Sequence, residues 1–96
     1  MRRIYLVTYD ISDPKRLRQV FKTMKGYGLH VQLSVFQCDL PAQRRIEMEA
    51  ALSEIIHQDE DQVLVFDLGP TRKDPIKEVA VLGRPATFHR LGPVIA

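Results

Sequence analysis

From Ile4 to Tyr9 both parities of the chain are largely apolar, with Ile4, Leu6 and Thr8 on one side and Tyr5, Val7 and Tyr9 on the other. A strand written this way is covered on both faces and lies centrally in its sheet. The run stops at Asp10. Ser12-Asp13-Pro14 then reads as a helix start, with Ser12 or Asp13 as the cap and a proline at the first helical position, where its missing N–H costs nothing. Leu17, Val20, Phe21 and Met24 recur at i, i+3, i+4 and i+7 and form the predicted inward stripe. Lys15, Arg18, Lys22 and Lys25 share the outward side, with Arg16 on the other flank. Gly26 or Gly28 is expected to end the helix in a left-handed turn.

Leu29 to Leu40 has strand character but changes parity: Leu29, Val31, Leu33 and Val35 share one face, whereas Phe36, Cys38 and Leu40 share the other. A one-residue shift flips every side chain, so a bulge or sharp bend is predicted near Ser34–Phe36, in one kinked strand or a hairpin of two. Asp39 and Pro41 are expected to start a second helix. Its inward residues are Met48, Ala51, Leu52, Ile55 and Ile56, and it ends near His57 before the acidic turn Gln58-Asp59-Glu60-Asp61. Val63 to Leu68 is a further strand, apolar on both faces, broken by Gly69-Pro70. Thr71 to Lys77 is a basic loop, Val79 to Leu82 a candidate short strand, and Ala86 to Ala96 weakly strand-like.

This order at this length is that of an α+β, ferredoxin-like sandwich, βαββαβ plus a C-terminal strand, spanning residues 1–96 as one domain with 83–96 as a tail. Both helices of that architecture cover one face of the sheet. Since both parities of the central strands are apolar, the other face needs a cover too. A second copy packed sheet to sheet, giving a two-fold symmetric homodimer, is the simplest.

Composition sharpens the picture in two places. A chain of 96 residues hides only roughly two-thirds of its unfolded surface and gains from a partner subunit. The single cysteine, Cys38, lies in an apolar strand and reads as a small core residue of a reducing compartment. The apolar run after Arg2-Arg3 is too short for a signal-peptide core, and no segment is long enough to span a bilayer, so a cytoplasmic location without membrane contact is expected. The net charge of +2 is unevenly spread. Residues 1–30 carry seven Lys or Arg against Asp10 and Asp13, residues 31–70 are strongly acidic, and residues 71–96 are basic again.

Asp10, at the end of the first strand, has two readings: a helper in capping the first helix, or a ligand for Mg²⁺, which favours hard oxygen donors. One carboxylate makes a poor Mg²⁺ site, but two copies of Asp10 across a two-fold axis make a credible one, completed by water and phosphate oxygens. The basic stripe is either a solvated helix face or a surface that contacts phosphates without reading bases. His30 is a surface residue, a phosphate contact or a proton carrier, and Ser34 bonds to local backbone or to the site. No Walker loop, GxGxxG, CxxC or HExxH is present.

Several runs in order, Tyr9-Asp10-Ile11-Ser12-Asp13, Lys15-Arg16-Leu17-Arg18, Lys25-Gly26-Tyr27-Gly28 and Val31 through Cys38, with the later Asp59-Glu60-Asp61-Gln62-Val63 and Leu82-Gly83, resemble the Cas-two family, small CRISPR-associated proteins of spacer acquisition named as endoribonucleases. The likeness is dense through residue 38 and looser in the tail. It implies a ferredoxin-like homodimer that holds double-stranded DNA between copies of the CRISPR integrase (Cas-one). It also implies a Mg²⁺-dependent phosphodiesterase with Asp10 as catalytic residue and metal ligand, the ion being shared between subunits, and single-stranded RNA as a further substrate class. Tyr9, Arg16, Arg18, Ser34 and Phe36 fall on other motif positions. Arg16, Arg18 and Lys22 are then the expected nucleic-acid contacts, with Tyr9, Ser34 and Phe36 in support. Many relatives carry Arg where this chain has His30. The family's last strand commonly crosses to the partner subunit, which residues 86–96 would do here. The rival functions are an adaptor that binds DNA without cleaving it, a stand-alone toxin-like ribonuclease and a small-molecule-sensing regulatory module.

Overall fold

The computed structural model describes residues 1–71 and 80–85. Six elements follow one another: β1 (Arg2–Asp10), α1 (Pro14–Met24), β2 (Leu29–Gln32), β3 (Val35–Pro41), α2 (Ala42–Ile55) and β4 (Gln62–Pro70). The strands form one antiparallel sheet in the order β2-β3-β1-β4. This is the ferredoxin-like arrangement, in which each βαβ half leaves room for a strand of the other.

Register decides which side chains meet the helices. Tyr5 stands opposite Cys38 and Val7 opposite Phe36, and Val7 and Tyr9 pair with Val65 and Val63. These residues cluster with Val20 and Met24 of α1 and Met48 and Leu52 of α2, so both helices cover that face. The opposite face carries Ile4, Leu6 and Thr8, with Leu6 opposite Phe66 and Thr8 opposite Leu64. Among the described residues no helix lies over this second face, and Leu64 and Phe66 remain 43% and 47% exposed. No helix among the described residues is long and apolar enough to cross a membrane.

The start of α1 is capped by Asp13, whose carboxylate accepts the Arg16 N–H at 2.9 Å, with Pro14 at the first helical position. Of the predicted inward stripe, Val20 and Met24 are fully buried and Phe21 half-buried, but Leu17 is exposed. The left-handed glycine expected at the end of α1 is absent: positive φ occurs at Gly69 and Gly83, not at Gly26 or Gly28. The last turn tightens instead through Gly26 N–H to Thr23 O and Tyr27 N–H to Met24 O.

The change of parity after Leu29 resolves into a hairpin. Gln32 pairs with Val35 across Leu33-Ser34, and the register slips between His30 and Gln32, leaving Val31 as the extra residue. The sharp bend expected near Ser34–Phe36 is this turn at Leu33-Ser34, and the bulge lies just before it, in β2. Asp39 is not a helix start. It sits in β3, where it accepts from Arg2 Nε at 3.0 Å and from Thr71 Oγ1 at 2.7 Å, while Pro41 takes the cap position of α2 without a side-chain bond. β4 runs on through Gly69-Pro70, because a bulge against Ile4/Tyr5 absorbs Leu68. Ala80 to Leu82 has no strand, so the short strand expected there is absent from those residues. The basic loop beyond Thr71 and the expected terminal strand at 86–96 lie outside the described residues.

Candidate nucleic-acid interface

Asp10 ends β1 opposite Gln62 and shares its parity with Leu6 and Thr8, so it stands at one end of the uncovered face. It is exposed, and no ion pair engages it among the described residues. The capping role open to it is filled by Asp13.

Tyr9 and Phe36 point to the other face. Their rings stack at 6.3 Å between centroids, and Phe36 also meets Phe21 edge-on at 5.7 Å. Both are buried on the helix-covered face, the side of the sheet opposite Asp10. Burial raises the Tyr9 hydroxyl above its ordinary pKa. Ser34 contributes its backbone carbonyl, which accepts the Tyr9 N–H at 3.1 Å and ties the hairpin turn to the end of β1. His30 packs its ring on Phe21 and Phe36 and bonds the Leu33 carbonyl through Nε2 at 3.0 Å, which makes it an internal brace of the hairpin.

The cations divide sharply. Arg2, Arg3, Arg44 and Arg45 pair with Asp39, Asp67, Glu47 and Glu49. Arg16, expected beside Arg18 and Lys22 as a phosphate contact, turns away from them: its Nε donates to Asp61 at 2.8 Å and its Nη2 to Glu60 at 3.1 Å. Lys15, Arg18 and Lys22 have no carboxylate partner among the described residues. All three line a groove of about 790 Å³, with Leu17 and Phe21 of α1, Tyr9 of β1 and Leu33-Ser34 of the hairpin turn. The groove has an aliphatic and aromatic floor and a cationic rim, which suits an anionic polymer.

The Arg16–Asp61 contact was hidden from sequence reasoning. Asp61 reads as one acid of the turn Gln58-Asp59-Glu60-Asp61, and no local spacing links it to residue 16. Its fit to α1 arises only when β4 pairs with β1.

For a metal, the donor set gives half an answer. No group of three His, Cys, Asp or Glu gathers among the described residues. Mg²⁺, however, takes one or two carboxylates and completes its shell with water and phosphate oxygens. One free carboxylate on a face open to a second copy fits that requirement as half a site.

The family model of CRISPR associated protein Cas2 matches residues 1–75. The chain is 64% identical over 66 residues to the CRISPR-associated endoribonuclease Cas2 1 of Rhodospirillum rubrum, a match covering 69% of this chain and 65% of that one. It is 54% identical over 70 residues to the CRISPR-associated endoribonuclease Cas2 of Geobacter sulfurreducens, covering 73% and 74%. The crystal structure of Streptococcus pyogenes Cas2 at pH 6.5 is similar with a TM-score of 0.70 at 33% identity, over 83% of this chain and 99% of that chain. With its sheet order, its cationic first helix and these matches, the chain belongs to the CRISPR-associated protein Cas2 family.

Proposed function

We propose that this chain acts as a sheet-to-sheet homodimer in CRISPR spacer acquisition, holding duplex DNA together with the CRISPR integrase and hydrolysing phosphodiesters at a site built from Asp10 of both copies. The observation that carries this reading is that, among the described residues, Asp10 on the uncovered apolar face and Lys15, Arg18 and Lys22 along α1 have no ion-pair partner. The names of its relatives as endoribonucleases support the nuclease half. The two Asp10 carboxylates would hold a Mg²⁺ ion, which when bound neutralises phosphate charge and makes a bound water more acidic. Arg18 and Lys22 hold the backbone through charge alone, so binding is indifferent to sequence. Tyr9 and Phe36 keep the end of β1 rigid beneath Asp10. The protein works in the cytoplasm.

The test separates cleavage from binding. Asp10→Ala is expected to lower Mg²⁺-dependent cleavage by about a hundredfold or more, the scale of a lost preorganised electrostatic contact, with duplex affinity unchanged. Arg18→Gln with Lys22→Gln is expected to weaken binding at every sequence and to flatten the log–log salt dependence by about 1.8 for each subunit that contacts the duplex, at roughly 0.9 per phosphate. Cleavage that survives Asp10→Ala removes the catalytic half and leaves the adaptor alone. An unchanged salt slope removes the binding surface.

A further inference from the structure

The acidic turn before β4 does something a solvated turn does not. Asp61 has no exposed side-chain surface, and its carboxylate is filled with donors. Oδ1 accepts the Ser12 N–H at 3.0 Å and the Ser12 hydroxyl at 3.1 Å, and Oδ2 accepts the His57 N–H at 2.8 Å. Arg16 grips both oxygens, Nε to Oδ2 at 2.8 Å and Nη2 to Oδ1 at 3.2 Å, in the forked geometry that makes such pairs strong and directional. The same guanidinium reaches Glu60 at 3.1 Å and the Ser12 hydroxyl at 3.4 Å.

These contacts converge on the corner that carries Asp10. Ser12 is two residues beyond it, and Gln62, the neighbour of Asp61, is its partner across the β1–β4 ladder. The corner is therefore held from two directions, by backbone pairing to β4 and by the carboxylate that precedes β4. We infer that Asp61, acting through Arg16 and Ser12, is a positioning residue for Asp10, and that Arg16 serves the reaction from inside the molecule and not by touching phosphate. The inference rests on the phosphodiesterase reading above. Without the acid, the Ser12 amide and the Arg16 fork lose their acceptor, the corner loosens, and the Asp10 carboxylate is no longer held where its counterpart in a second copy needs it. A misplacement of about 1 Å at a reacting centre costs on the order of a hundredfold in rate.

The experiment uses the full chain as Asp61→Asn, Arg16→Gln, the double variant and Ser12→Ala. Cleavage is followed on a single-stranded RNA oligomer with Mg²⁺, salt-dependent affinity on a random DNA duplex, and amide hydrogen exchange at Ser12. Asp61→Asn and Arg16→Gln are each expected to lower kcat by about ten- to a hundredfold with KM unchanged. The double variant is expected to be no worse than the poorer single one, because the pair acts as a unit. Both keep the wild-type salt slope, and both speed exchange of the Ser12 amide. Ser12→Ala keeps the amide bond and drops the hydroxyl, so a smaller loss of kcat is expected there, which tests the idea even where a charge variant does not fold. The inference is overturned if Arg16→Gln raises KM and flattens the salt slope by about 0.9 for each subunit that contacts the duplex, the mark of one lost phosphate contact per copy. It is equally overturned if folded Asp61→Asn or Ser12→Ala cleaves at the wild-type rate. An Asp10→Ala control that still cleaves instead sinks the phosphodiesterase reading, a result told apart from the others by the intact activity of that one variant.

Discussion

A Cβ added to Gly28 would stand 2.6 Å from both Cys38 Sγ and the Gln37 carbonyl oxygen. The oxygen belongs to a strand backbone that cannot step aside, so Gly28 is required by close approach and not by its dihedral angle. Gly28→Ala is expected to cost about 1–3 kcal/mol, read as a lower denaturant midpoint with an unchanged slope. The two glycines near the helix end were visible in the sequence as a signal to stop, but the reason for this one lay in a strand ten residues away. Cys38 beside it was legible as core: it is fully buried, and burial pushes its thiol up to about 12. Asp10 was legible as a residue of interest from its place after an apolar run. The capping role that its position also allowed is taken by Asp13.

Between elements, the joint of β1, α1 and the turn before β4 is electrostatic. The Arg16 guanidinium, helped by the His57 and Ser12 donors, holds the Asp61 carboxyl well below the usual carboxylate range. A depressed folded value means the group contributes stability above its unfolded pKa of about 3.9, and that contribution drains away as pH falls below it. Melting temperatures of the wild type and Asp61→Asn are thus expected to differ at pH 6 and to converge as pH falls below about 4. A constant gap would mean that the carboxylate's charge is not what the joint uses. The hairpin of β2 and β3 shows the opposite balance. Its parity change was plain in the sequence, because a strand with one face buried cannot hide a slipped residue. Whether a kink or a turn caused it was not, since Leu33-Ser34 carries no Gly or Asn to mark a tight turn.

At the scale of the molecule, Leu64 and Phe66 lie half-exposed on a sheet face that no helix covers among the described residues, beside Leu6. Apolar surface of this kind marks an interaction site. On the proposed dimer, Phe66→Asp is expected to give single subunits by light scattering at concentrations where the wild type is paired, and to abolish Asp10-dependent cleavage with them. A variant that stays dimeric would place the two-fold contact elsewhere. The alternation of apolar residues by itself gave the succession of strand and helix segments, the centrality of β1 and the demand for a second cover, but not the split of residues 29–40 into two strands, because periods of two and of 3.6 are written locally. Only the tertiary structure decided which cations have a carboxylate partner among the described residues. Helical spacing already sets Arg16 and Arg18 on different flanks of α1, but not what each flank meets. They part company because strand pairing brings Asp61 to the first and leaves the second facing an open groove, and a contact across 45 residues depends on register that no local pattern encodes.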